Sequence, residues 1–145
     1  MKTLLAVSMV LAAALCGSAC ARECTAQVRG GWIRLGPAGM PMMAGFARIE
    51  NRCATPITIR SARSPAFADT SLHQTRIVDG ISRMRDVPEL RVAPGDAAVL
   101  KPGGLHLMLM QPRAPLKAGS KVAVEFKLSD GRTLLSEFEV RKSVP

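Results

Sequence analysis

Two histidines and two methionines carry the chemistry that this sequence offers. His73, Met84, His106 and Met108 are separated by ten, twenty-one and one intervening residues. His73 and His106 are the only histidines in the chain, so all of its imidazole stands beside thioether sulfurs. Thioethers bind Cu(I) well and hard ions poorly, and neutral imidazole adds a stronger donor without adding charge, so the set points to a soft metal, Cu(I). Zinc would prefer thiolate or carboxylate company. Thioethers also survive in an oxidising compartment, where free thiolates are lost to disulfides. A blue-copper electron carrier needs a cysteine thiolate near its second histidine, and no cysteine follows Cys53. With no nucleophile, acid pair or water activator standing out, the chain is not expected to be an enzyme. Its expected work is to hold the ion and release it.

The elements that would position these residues are strands. From Cys24 onward, short alternating or β-branched runs are punctuated by Gly, Pro and Asp, with no 3.6-residue period of helical length. Asp79-Gly80 is the strongest hairpin signal, because both residues accept the positive φ of a type I′ turn. A two-residue turn there joins Leu72–Val78 to Ile81–Val87 and sets Thr75 opposite Met84. His73 then falls on the face of Met84, as its diagonal neighbour. In the run Leu105–Gln111, His106, Met108 and Met110 project to one side and Leu105, Leu107 and Leu109 to the other, so one face packs and one coordinates. Further strands are expected over Ala26–Leu35, Ala44–Asn51, Ile57–Ala62, Leu90–Ala93, Ala97–Leu100, Lys121–Leu128 and Thr133–Arg141. Short strands at this turn spacing imply an all-β Greek-key sandwich or barrel.

The chain has 145 residues, enough for one domain with a single core. Met1-Lys2-Thr3 followed by the apolar run Leu4–Leu15 reads as a secretory signal peptide, too short to act as a stop-transfer helix. Ala19-Cys20-Ala21 has the small-x-small form of a cleavage site, which gives a signal over residues 1–21, a domain over 22–145 and a periplasmic location. A lipoprotein alternative rests on Cys20, weakened by Gly17 three residues before it. Cys16 and Cys20 fall in the signal, leaving Cys24 and Cys53 as an even pair in an oxidising compartment, where a disulfide is expected. Thiolate ligation or redox cycling is the rival reading of that pair, disfavoured by their wide spacing.

The formal charge of +9 falls to +8 when Lys2 leaves with the signal. Such a charge steers a protein towards acidic partners or anionic membrane surfaces, although a solvated basic face explains it equally well. Nucleic acid is not an expected partner, since the chain has no tyrosine and its few aromatics do not alternate with arginines.

The spacing His-x10-Met-x21-His-x-Met resembles the signature of the PCu(A)C family of periplasmic copper chaperones. Lys101-Pro102-Gly103-Gly104-Leu105-His106-Leu107-Met108-Leu109-Met110 is similar to the family's stretch around its second histidine. Trp32-Ile33-Arg34, Ala44-Gly45-Phe46 and Glu50-Asn51 resemble its opening strands. The likeness runs from about Val28 to Val140 and implies a cupredoxin-like fold with His73, Met84, His106 and Met108 as ligands of one Cu(I). It further implies delivery of copper towards respiratory haem–copper oxidases, with a Sco-type chaperone or the copper-site subunit of cytochrome c oxidase as partner. A monomer is expected.

Bland readings stand beside the sharp one. A methionine on a strand is ordinarily core filler. Met110 reads as apolar rim, Met40, Met42 and Met43 as a loop packed near the site or a second copper-capturing cluster, and Trp32 with Arg34 as a buried ring beside a surface charge. Gln74 stands where some relatives of the resembled family have methionine or glutamate. The competing function is a metal-free β-sandwich binding module of the cell envelope.

Overall fold

The computed structural model describes residues 24–142. The expected signal over residues 1–21, with Cys16 and Cys20, lies outside the described residues. Among those residues the structure has ten strands and no helix: β1 Gln27–Leu35, β2 Met42–Glu50, β3 Ile57–Arg63, β4 Phe67–Val78, β5 Ile81–Asp86, β6 Leu90–Val92, β7 Ala97–Leu100, β8 Leu105–Pro112, β9 Lys121–Leu128 and β10 Thr133–Lys142.

The hydrogen-bonded path runs β5-β4-β8-β2-β1-β10-β9-β3-β6, with β7 paired to the second half of β2. Only the β1–β10 pairing is parallel among these strands. Phe67 and Leu72 near one end of the path and Ile57, Ile59 and Val92 at the other belong to one buried cluster, together with Ile33, Leu107, Leu109, Phe126 and Phe138. The sheet therefore closes over a single core, as the alternation in β8, β9 and β10 demands. Outside the core, every residue of β5 is exposed, so the β4–β5 hairpin stands clear of the body.

Two features of β1 and β2 hold this frame. Gly30 has φ +60°, and the register between β1 and β2 shifts between Arg29 and Trp32, which is a β-bulge turning the strand. Asn51 is buried just after β2: its Nδ2 donates to the carbonyls of Thr55, Val92 and Ala93, and its Oδ1 accepts from the Cys53 amide. One side chain thus ties the end of β2 to the chain following β6. Cys24 and Cys53 form the expected disulfide, with Cα atoms 5.5 Å apart.

Strand ends differ from the sequence expectation in two places that matter. β2 begins at Met42 rather than Ala44, directly after Pro41, which places Met43 in the core rather than in a loop. β4 begins at Phe67 rather than Leu72, because Phe67–Ser71 find a partner in Met108–Pro112 of β8 that local composition does not announce.

Candidate metal centre

The hairpin forms as its turn dictates. Asp79 and Gly80 have φ of 52° and 73°, and the register sets Val78 opposite Ile81 and Thr75 opposite Met84. On its other side β4 pairs with β8, bringing His73 directly opposite His106 and Ser71 opposite Met108. The ring centroids of His73 and His106 lie 6.1 Å apart. Three adjacent strands therefore carry the four candidate ligands: Met84 on β5, His73 on β4, His106 and Met108 on β8.

His106 is 5% exposed, and its Nδ1 lies 2.9 Å from the Gly104 carbonyl. A carbonyl can only accept, so Nδ1 carries the hydrogen and Nε2 presents its lone pair. The Pro102-Gly103-Gly104 turn is thus what fixes the tautomer. Such an outer bond orients a metal-binding imidazole before any ion arrives.

His73 is held differently. Its Nε2 lies 2.9 Å from Asp86 Oδ1 and 3.0 Å from Ser71 Oγ. A carboxylate accepts, so here the hydrogen is on Nε2 and the free lone pair of the neutral ring is on Nδ1. A metal bound through Nδ1 leaves the Asp86 contact intact; one bound through Nε2 displaces it.

An open hollow of about 680 Å³ lies over this region. Met84, His106 and Met108 line it with Thr75, Met42 and Phe46; His73 borders it beside His106 without lining it. Two thioethers and one orientated imidazole thus share a single hollow, with the second imidazole adjacent. Among the described residues no group of three or more His, Cys, Asp or Glu is placed to hold a metal, and the soft donors that line this hollow beside His106 are thioethers. That donor chemistry fits Cu(I) and suits Zn²⁺ or Mg²⁺ poorly.

Met42, expected in a loop, is the first residue of β2. It stands opposite Met110 in the β2–β8 register, is 37% exposed and lines the hollow. Strand parity with Ala44 and Phe46 was the signal for it. Met43 is buried among core residues but also reaches the hollow beside Met42, whereas Met40 does not line it. Trp32 is half-buried rather than buried, its ring centroid 4.6 Å from that of Phe46 and tilted 42° to it, with the Arg34 guanidinium over Phe46 and that of Arg141 over Trp32. Of these, Arg34 and Phe46 line the hollow.

The sequence model of the LpqE-like family matches residues 26–140. The chain belongs to that family. It is 35% identical over 108 residues to Lxx21020 of Leifsonia xyli subsp. xyli, a protein that carries a lipoprotein name; the match takes in 74% of this chain and 64% of that relative's length. Among solved structures it is similar to DR1885 of Deinococcus radiodurans in its Cu(I) form, at 31% identity and TM-score 0.68, with 87% of this chain and 85% of that one aligned. The copper-bound PCuAC domain of PmoF2 shares the fold at 14% identity and TM-score 0.66, over 80% of this chain and 92% of that domain. The resemblance to PCu(A)C proteins and the cupredoxin-like all-β fold expected from it are both borne out.

Proposed function

We propose that this protein is a Cu(I) chaperone of the cell envelope, exported by its N-terminal signal, with His73, Met84, His106 and Met108 as the ligands of one ion. The observation that carries the reading is the hollow itself: two thioether sulfurs beside an imidazole whose Nε2 is freed by the Gly104 carbonyl. Kinship with a structure solved in a Cu(I) form supports it. An open site with neutral ligands can pass the ion to a partner by ligand exchange, the weaker thioethers leaving first. The recipient we propose is a Sco-type chaperone or the copper-site subunit of cytochrome c oxidase, met by a monomer. Anaerobic Cu(I) titration tests the core of this. One tight ion per chain, abolished by His106→Ala, is expected; no binding would leave the metal-free envelope binding module as the better account.

A further inference from the structure

The β4–β5 hairpin carries a feature that copper binding does not use. Arg76 and Arg83 are directly opposed across the two strands, and Arg85 lies two residues further along β5 on the same face. Like charges directly opposite one another destabilise a strand pair, so the arrangement is costly unless something neutralises it. Most arginines elsewhere among the described residues meet a carboxylate: Arg29, Arg48 and Arg52 converge on Glu50, Arg60 meets Glu89, Arg63 meets Glu125, Arg132 meets Asp130 and Arg141 meets Glu139, while Arg34, Arg91 and Arg113 do not. Among the described residues no ion pair or hydrogen bond engages the side chain of Arg76, Arg83 or Arg85.

Beyond these arginines the hairpin ends in aliphatic side chains. Ile77, Val78 and Ile81 are 69%, 41% and 57% exposed, although a hairpin tip is ordinarily polar. Val78 and Ile81 share the face of Arg76 and Arg83 and stand about 7 Å further out, at the rise of two strand residues. Apolar groups at the extremity with a collar of guanidinium groups one step behind match the layering of an anionic bilayer, where phosphates lie just outside the first acyl carbons.

We propose that the β4–β5 tip docks onto an anionic phospholipid surface, inserting Ile77, Val78 and Ile81 and setting Arg76, Arg83 and Arg85 against lipid phosphates. His73 and Met84 occupy the opposite face of the same ribbon, where of the inserted side chains only Ile77, at the tip and two residues beyond Thr75, projects, so docking through the tip and the arginine face leaves the metal hollow open to a membrane-bound recipient. Asp79 is the one carboxylate at the tip, and it opposes the interaction.

The test is flotation of the processed, unacylated chain with vesicles of phosphatidylcholine containing about 30% phosphatidylglycerol, all variants sharing one N-terminus. Binding is expected to these vesicles and to be about tenfold weaker with pure phosphatidylcholine. Arg76→Glu with Arg83→Glu should weaken it by about tenfold or more, Ile77→Ser with Ile81→Ser several-fold, and Asp79→Asn, which keeps the turn, should tighten it. Arg91→Glu with Lys127→Glu makes the same charge change on β6 and β9 and should leave binding within about twofold. The proposal is overturned if the parent chain does not float, if the β6/β9 pair loses as much as the hairpin pair, or if soluble polyglutamate is bound while vesicles are not. Cu(I) titration of the same variants should be unchanged, so failure here and failure of the copper reading are separable.

Discussion

His106 and Met84 mark the two extremes of preparation among the proposed ligands. His106 is packed to 5% exposure with its tautomer set by Gly104, whereas Met84 is 52% exposed on a strand that covers no core. Organising Met84 on binding costs conformational entropy that His106 has already lost on folding. Imidazole is also the stronger donor. In an anaerobic chelator competition, His106→Ala and His73→Ala should therefore lower Cu(I) affinity by about a hundredfold or more, and Met84→Ala and Met108→Ala by about tenfold each, given that losing even the outer partner of a ligand ordinarily costs about ten- to a hundredfold. Equal losses at all four positions would contradict this order. The types and spacing of these residues made the donor chemistry legible before any fold was known. The grip of Asp86 on His73 was within reach too: counting two pairs beyond Thr75 and Met84 arrives at His73 opposite Asp86. What no counting along the chain could give is the pairing of β4 with β8, because thirty-odd residues of loop and short strand separate His73 from His106. That pairing decides which two imidazoles meet.

At the scale of elements, the hairpin was the most legible part because its turn needs two particular backbone conformations that Asp-Gly supplies. The ends of β2 and β4 were the least, since they depend on partners far away in sequence. Asn51 shows how such a distant partner acts. It sits where β2 stops, 1% exposed, and its amide satisfies three carbonyls in two other segments. Replacing it with alanine leaves those buried acceptors and the Cys53 amide without it, at a cost of about 2–3 kcal/mol. For a domain of this size that lowers Tm by about 10 °C. Glu50 next to it behaves differently. Burial raises its carboxyl, but the bonds from Arg48 and Arg52 and the charges of Arg52 and Arg29 overcome this and hold it below the ordinary range. Thermal melts of Asn51→Ala therefore report on the clamp alone if taken near neutral pH, where Glu50 stays ionised. A Tm within about 2 °C of the parent would show that water replaces the amide.

For the molecule as a whole, the disulfide and the metal hollow occupy opposite ends of β2. Cys53 lies three residues beyond its last residue, Glu50, while Met42 and Ala44 at its start border the hollow. The bond closes a span of 29 residues, which constrains the unfolded chain and stabilises the fold by about 3–4 kcal/mol on the chain-entropy account. That stabilisation is global, because the single core runs from Phe67 and Leu72 beneath the hairpin to Ile57 and Leu128 beside the disulfide and unfolds as one unit. Ligand geometry is local: it is set by the β4–β5 and β4–β8 registers and the Gly104 turn, none of which touches either cysteine. Stability and copper affinity should then separate. Cys24→Ala with Cys53→Ala is expected to lower Tm by about 10–15 °C, with Cu(I) affinity at 25 °C within about twofold of the parent, as the domain remains folded there. If affinity falls in step with Tm, the barrel transmits strain from one end of β2 to the other, and the hollow is not the preset site that the Gly104–His106 bond makes it.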